Sequence, residues 1–294
     1  MKYKKSILET GFDFFNCVLM ILLVIATLYP CYYVLVASMS DATRIYEGSS
    51  LLLWPRGFSV EAYKQVLEYK PLWIGYANTL FYVSVGATIS VLTTVMTAFA
   101  LTRRGLPFKN VIMFAILFTM YFSGGLIPTF LVVKGIGLYN SRLAVIIPPM
   151  IATYNLIITI SYFKGLPYEL EEAAKIDGAN DYTVLFKILM PIAKPIIAVI
   201  ALYYMVSLWN SYFSEMIYLS DKSKFPLQLI LREILIQNDT ASVGGSASNV
   251  GDAQTYAESL KFAVIVVSTI PILCVYPFIQ KFFVKGVTIG AVKG

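Results

Sequence analysis

Three glutamates lie close together in an otherwise apolar region of the sequence. Glu169, Glu171 and Glu172 belong to the stretch PYELEEAAKIDGANDYTVLFKILMP, which runs from Pro167 to Pro191. Two carboxylates near each other can act as a general acid and a general base. Adjacent residues point to different faces of a helix, however, and small residues surround this pair. The favoured interpretation is therefore a surface that meets another protein.

The composition excludes several kinds of chemistry. The chain has no histidine, which rules out a histidine-ligated metal site and a Ser-His-Asp triad. It also lacks the GxxxxGK[ST] loop that cradles nucleotide phosphates. Any ATP-driven work must then be done by another subunit. We expect no catalytic residue, no cofactor site and no metal site in this chain.

The elements that flank residues 167–191 are predicted to be membrane helices. Hydrophobic residues make up 58% of the 294 residues and the mean hydropathy is +0.71, whereas a soluble domain is about 45–50% apolar. The apolar runs are long enough to cross a hydrocarbon core of roughly 30 Å as helices. The sequence predicts an all-α integral membrane protein with six transmembrane helices, at residues 14–40, 73–102, 110–133, 143–163, 195–219 and 262–280.

The connecting segments define the expected topology. Basic residues near the helix ends favour a cytoplasmic side for both termini, which are a tail of residues 1–13 and a tail of residues 281–294. The glutamate-containing segment, residues 167–191, is then cytoplasmic and lies between helices 4 and 5. The longest outer loop spans residues 221–261. A break in the third span is expected at the pair Gly124 and Gly125.

Residues 167–191 predict two short helices on the membrane surface. Pro167 suits the first turn of a helix, where acidic residues also interact favourably with the helix dipole, and Gly178 is placed to end it. Asn180 or Asp181 can cap a second helix, which is expected to end before Pro191. Neither helix is long enough to span a membrane.

The same segment resembles a known signature. Its residues are similar to the EAA motif of the permease subunits of bacterial ABC importers, in the carbohydrate-uptake branch of the maltose-transporter superfamily. Further stretches, including YFSGGLIPTFLVVKGIGL from Tyr121 and LWNSYF from Leu208, resemble the polysaccharide and complex-oligosaccharide permeases. The motif residues are Glu172, Ala173, Ala174, Asp177, Gly178 and Pro191.

This resemblance implies a type I importer fold with a cytoplasmic EAA coupling helix. It implies a sister permease, two ATPase subunits that bind ATP and Mg, and an extracytoplasmic solute-binding protein. Glu172 would pair with a donor in an ATPase cleft, Ala173 and Ala174 would allow close contact, and Gly178 would permit the turn. Lys293 and Gly294, in a tail similar to that of one maltose-type permease, would contact the ATPases.

Aromatic and amide side chains in the spans are candidates for a sugar path, because sugars offer apolar ring faces and many hydroxyl groups. The predicted substrate is an oligosaccharide or polysaccharide. The candidates are Tyr121, Asn155, Tyr204, Trp209, Asn210 and Tyr212.

Two alternatives remain open at the level of sequence. The same importer architecture could carry a non-sugar solute, or the chain could be a membrane-embedded glycosyltransferase that uses Glu171 and Glu172. We expect a multi-pass protein of the bacterial cytoplasmic membrane, in contact with lipid. The basic residues are dispersed along the helix ends, so no nucleic-acid partner is expected.

Overall fold

The computed structural model describes residues 7–45, 51–103, 105–236 and 260–274. Within these ranges the regular structure is helical, with one isolated antiparallel bridge between Ser40 and Phe58. The all-α prediction is confirmed. The helices are α1 (Ile7–Ser38), α2 (Glu61–Glu68), α3 (Lys70–Thr102), α4 (Lys109–Tyr121), α5 (Leu126–Gly135), α6 (Leu143–Ile146), α7 (Thr153–Lys164), α8 (Glu169–Ile176), α9 (Asp181–Ile192), α10 (Lys194–Asn210), α11 (Phe213–Tyr218), α12 (Leu227–Ile236) and α13 (Leu260–Cys274).

Two of these helices are long and apolar enough to cross a membrane. They are α1, with 32 residues, and α3, with 33 residues. A third span is reached if α9 and α10, which meet at a bend of 85°, are counted together. Most of α1 is exposed, and its buried residues are confined to the last turn, at Val36, Ala37 and Ser38. The rest of this apolar helix is largely exposed among the described residues, and such a surface is suited to lipid or to another subunit.

The predicted break in the third span is present. Helix α4 ends at Tyr121 and α5 begins at Leu126, with Gly125 at a φ of +84° between them. This backbone conformation is disfavoured for residues that carry a Cβ atom. The glycine pair therefore divides residues 110–133 into two shorter helices.

Two further breaks were not predicted. Residues 143–163 contain the short helix α6 and the longer α7, separated by a stretch that includes Pro148 and Pro149. Residues 195–219 are divided at Ser211 and Tyr212. Proline has no backbone N–H to donate to the preceding turn, which explains the first break. The sixth predicted span is represented by α13 up to Cys274, and residues 275–280 lie outside the described residues.

The segment predicted as the long outer loop begins with ordered structure. A 3₁₀ turn at Lys222–Lys224 leads into α12, whose apolar residues are largely buried. The Asn78 carboxamide donates hydrogen bonds to the carbonyl oxygens of Ser223, at 2.8 Å, and Phe225, at 3.1 Å. The Asn78 side chain of α3 thus holds the backbone segment that leads into α12. Residues 237–259 of this loop lie outside the described residues.

The described residues divide into two compact units. The first contains residues 7–45, 51–70, 233–236 and 260–271, and the second contains residues 71–103, 105–232 and 272–274. In the first unit, Val36, Ala37 and Leu52 form a small buried cluster. The ring of Tyr33 meets that of Phe262 edge-on at 5.9 Å.

The core of the second unit is organised around α3. This helix packs against α7 and α10, and its buried face includes the small residues Ala87, Ser90, Thr94 and Ala98. Small residues at intervals of three and four allow helix backbones to approach closely. Buried apolar residues of α3, α7 and α10 form one cluster, which also includes Ala174 of α8 and residues of α9. Both short helices therefore pack against the three longer ones.

Candidate functional site

Helix α8 begins with acidic residues and ends before a glycine. Its first turn contains Glu169, Glu171 and Glu172, which favour a helix N-terminus electrostatically. At the other end, the Ala179 N–H donates to the Ala174 carbonyl at 2.9 Å while Gly178 adopts a φ of +81°. This is the left-handed conformation with which glycine commonly ends a helix.

Helix α9 begins at a side-chain cap. The Asn180 Oδ1 atom accepts a hydrogen bond from the Thr183 backbone nitrogen at 2.8 Å. Of the two candidate capping residues, Asn180 and Asp181, it is Asn180 that caps the helix. The helix widens into π turns over Val184–Leu189 and continues through Pro191 to Ile192, two residues beyond its predicted end. The sharp bend into α10 follows directly.

The predicted docking residues do not all face the same way. Glu172, Ala173 and Asp177 are exposed, as is Ile176, whose side chain is 86% exposed. Ala174 is buried in the core of its own chain. The sequence treated the two alanines alike, whereas the structure leaves only Ala173 accessible from outside.

The buried face of α8 carries an ion-pair network that sequence analysis did not identify. Glu171 is 4% exposed and its carboxylate pairs with the guanidinium of Arg103, just beyond the end of α3. The Lys175 Nζ atom lies 3.1 Å from Glu171 Oε1 and 3.4 Å from Asp181 Oδ1. The hydrogen bond to Glu171 raises the pKa of Lys175. The spacing of four residues between Glu171 and Lys175 was the available sequence signal.

A cavity of about 390 Å³ lies between α3, α7 and α10 and contains two of the predicted path residues, Asn155 and Tyr204. Asn155 is 5% exposed. Its carboxamide forms no hydrogen bond with any residue that the structure describes. A buried amide without a partner is unfavourable, so a polar ligand or water is the expected partner. The lining residues are Ser90, Pro149, Ile151, Ala152, Tyr154, Asn155, Tyr203, Tyr204, Ser207 and Leu208.

Tyr204 lines the same cavity, but its hydroxyl group is already engaged. It lies 2.6 Å from Thr94 Oγ1 and accepts a hydrogen bond from the Ala152 backbone nitrogen at 2.9 Å. Tyr204 therefore joins α3 and α10 to the start of α7. A tyrosine in an apolar run does not by itself distinguish this role from contact with a ligand.

The other path candidates do not line this cavity. Trp209 is buried and its ring meets that of Tyr76 at 6.5 Å. The Asn210 amide donates to the Val206 carbonyl of its own helix at 2.9 Å. Tyr121 and Tyr212 are exposed. The predicted ATPase contacts at Lys293 and Gly294 lie outside the described residues.

Comparison with known proteins identifies the family. Residues 90–289 match the family described as "Binding-protein-dependent transport system inner membrane component". The polygalacturonan/rhamnogalacturonan transport system permease protein YtcP of Bacillus subtilis (strain 168) is 41% identical over 266 residues, covering 90% of this chain and 92% of the relative. Protein LplC of the same organism is 38% identical, covering 91% of this chain and 90% of the relative.

A solved structure supports the same assignment. One chain in the crystal structure of a bacterial ABC transporter involved in the import of the acidic polysaccharide alginate superposes with a TM-score of 0.87. It is 34% identical, and the match covers 96% of this chain and 100% of that one. The resemblance inferred from the EAA segment is thereby confirmed, and a transport subunit is supported over a glycosyltransferase. The chain belongs to the family of inner membrane components of binding-protein-dependent transport systems.

Proposed function

We propose that this chain is one of two permease subunits of an ATP-driven importer of oligosaccharides or polysaccharides. It would form half of the translocation path, with a sister permease forming the other half. An extracytoplasmic binding protein would deliver the substrate, and two separate ATPase subunits would bind ATP and Mg. The named relative that transports polygalacturonan and rhamnogalacturonan supports this choice of substrate class.

The exposed edge of α8 carries the proposal for coupling. Ile176 is a large apolar residue that lies almost fully exposed, close to the exposed Glu172 and Asp177. A single exposed apolar residue is common on protein surfaces, but this one lies within the segment that resembles the EAA signature. We place an ATPase on the edge formed by Glu172, Ala173, Ile176 and Asp177, with Gly178 and Pro191 shaping the two turns beside it.

Closure of the ATPase pair would then move this surface. ATP binding would bring the docked helices of the two permeases together and switch the path between inward-facing and outward-facing states, as rigid-body alternation. In this arrangement the chain would cross the membrane six times, with the α8–α9 hairpin and both termini on the cytoplasmic side. The broken helices α4 with α5, α6 with α7, and α10 with α11 would each contribute one span. Lys293 and Gly294 would add a second contact with the ATPases.

The cavity beside Asn155 supports a sugar path. Its lining combines the Asn155 amide, which has no hydrogen-bond partner among the described residues, with two serine hydroxyls. It also includes the rings of Tyr154 and Tyr203, whose centroids lie 6.2 Å apart. These groups suit hydroxyls and the apolar faces of a pyranose. None of the ten lining residues is charged, so we place recognition of any sugar carboxylate outside this cavity.

Uptake by the assembled transporter tests the proposal. The complex would be reconstituted in lipid vesicles with its binding protein, and labelled oligosaccharides of polygalacturonate, alginate and arabinan would be offered with ATP. We expect ATP-dependent uptake of at least one of them. Uptake that proceeds without an ATPase subunit would contradict the proposal, as would transport of a peptide or an inorganic ion with no sugar transported.

A charge reversal tests the docking surface. In Glu172→Arg, the ATPase subunits should co-purify poorly with the permeases, because the exposed edge of α8 has changed sign. Glu68→Arg, on the exposed surface of α2, is the matched control and should co-purify normally. Normal assembly and uptake by the Glu172 variant would place the ATPase elsewhere.

A further inference from the structure

Arg103 is held on several sides at the end of α3. Its guanidinium carbon lies 4.1 Å from the centroid of the Phe99 ring. The Nε atom donates to the Phe99 carbonyl at 3.2 Å, and Nη2 lies 3.3 Å from Thr102 Oγ1. The Lys109 Nζ atom donates to the Arg103 carbonyl at 3.2 Å. The guanidinium is therefore held against the last turn of α3.

The carboxylate of Glu171 forms an ion pair with the same guanidinium. It is buried although Glu172, its neighbour in sequence, is exposed, and its ion pairs reach Arg103 and Lys175. Lys175 extends the network to Asp181 at the start of α9. One carboxylate thus connects the end of α3 with both helices of the hairpin formed by α8 and α9.

We propose that the Arg103–Glu171 ion pair is the internal link through which movement of the α8–α9 hairpin is transmitted to α3. The inference depends on the proposed docking of an ATPase on that hairpin. Arg103 and Glu171 are positioning residues: neither lines the cavity, and neither belongs to the exposed docking edge. Arg103 directly follows the last residue of α3, and the same helix contains Ser90, which lines the cavity. A displacement at the end of α3 would then reach the cavity through one continuous helix.

Apolar packing alone is a weaker candidate for this link. The hairpin also packs into the core through Ala174 and Leu185, but apolar burial is not directional and does not by itself specify one position of α8 relative to α3. If the ion pair separated, the buried Glu171 carboxylate would keep Lys175 as its remaining charged partner, and the loss of a buried ion-pair partner is costly. We therefore expect the two halves of the pair to move together.

Charge reversals in the assembled transporter test the link. Arg103→Glu and Glu171→Arg would each be measured in vesicles for sugar uptake and for ATP hydrolysis. We expect uptake per ATP hydrolysed to fall on the order of tenfold in either single variant, by loss of coupling. The double variant should recover a large part of that ratio, and Arg103→Lys, which keeps the charge, should lose less than Arg103→Glu. Lys64→Glu reverses a charge in the exposed Glu61–Lys64 pair of α2 and should leave the ratio unchanged.

A second double variant tests the link if the charge-reversal variants fail to assemble with the ATPase subunits. Arg103→Met combined with Glu171→Met removes both charges and leaves neither one unpaired. This variant should assemble with the ATPases and still show a reduced ratio of uptake to hydrolysis. A ratio equal to that of the unmodified transporter would overturn the inference. If the unmodified complex binds no ATPase or imports no sugar, the proposed function fails first, so the two failures are distinguishable.

Discussion

The phenol oxygen of Tyr204 accepts a hydrogen bond from the backbone nitrogen of Ala152, at 2.9 Å. Ala152 immediately precedes α7, where the first backbone N–H groups of a helix have no partner within the helix. Tyr204 satisfies one of these groups from α10. The lining of the cavity is therefore held in place by a residue whose hydroxyl group is not free to bind a ligand.

Tyr204→Phe should destabilise the transporter without creating a large cavity. The change leaves the Ala152 N–H and the Thr94 hydroxyl without their partner, and we expect a loss of about 1–3 kcal/mol. Thermal unfolding of the purified complex in detergent measures it. Tyr162→Phe is the control, because that hydroxyl is exposed and lies 3.4 Å from its acceptor. Equal losses in the two variants would contradict the capping role.

Gly178 should tolerate asparagine better than valine. No atom lies within 4 Å of the site where a Cβ atom would be added, so the cost arises from the φ of +81°. A left-handed conformation costs roughly 1–2 kcal/mol for a residue with a Cβ atom, and asparagine is among the most tolerant of it. Co-purification of the ATPases and sugar uptake should be near normal in Gly178→Asn and reduced in Gly178→Val. Similar behaviour of both variants would exclude the backbone conformation as the reason.

Gly75→Ala should destabilise the contact between α3 and α12. An added Cβ atom would lie 2.6 Å from Ile230 Cδ1 and 3.1 Å from the Leu227 Cα atom, and the backbone atom cannot rotate away. We expect a cost of about 1–3 kcal/mol from overpacking. Gly11→Ala, in open space on α1, is the matched control. Melting temperatures of the two variants provide the comparison, and equal values would contradict the close packing.

Asn155→Ala should reduce sugar uptake while leaving assembly intact. The carboxamide has no hydrogen-bond partner among the described residues, so its removal costs the fold little, whereas a sugar hydroxyl would lose one hydrogen bond. Uptake should fall roughly threefold to tenfold, as expected for one such bond. Asn210→Ala is the control, since that amide bonds within its own helix. A large fall in melting temperature with unchanged uptake would instead indicate a structural role.

Acid should remove a contribution of Asp41 to stability. The Thr43 hydroxyl and backbone N–H donate to this carboxylate, which lowers its pKa below the usual 3.8. A group whose pKa is lowered by folding stabilises the folded state above its unfolded pKa, and this contribution is lost as the pH falls through the folded value. The difference in melting temperature between the unmodified protein and Asp41→Asn should shrink below about pH 4. In Thr43→Val, where the hydroxyl donor is absent, this pH dependence should be weaker.

Features that depend on composition and near neighbours could be predicted from the amino-acid sequence. The apolar runs specify helices, the pair Gly124 and Gly125 specifies a break, and Gly178 specifies the end of α8. In each case the backbone preference of the residue acts within one turn, so no distant contact is needed to decide it. The EAA segment is equally local, which is why it identified the family.

The accessibility of side chains and the contacts between distant residues depend on how the helices pack, and they became visible in the folded chain. Ala173 and Ala174 are neighbours of the same type, and burial by the core separates them. Arg103 and Glu171 are far apart in sequence, and they meet because Ala174 of α8 and Leu101 of α3 belong to the same apolar cluster. Such contacts depend on the packing of several helices, which a short stretch of sequence does not specify.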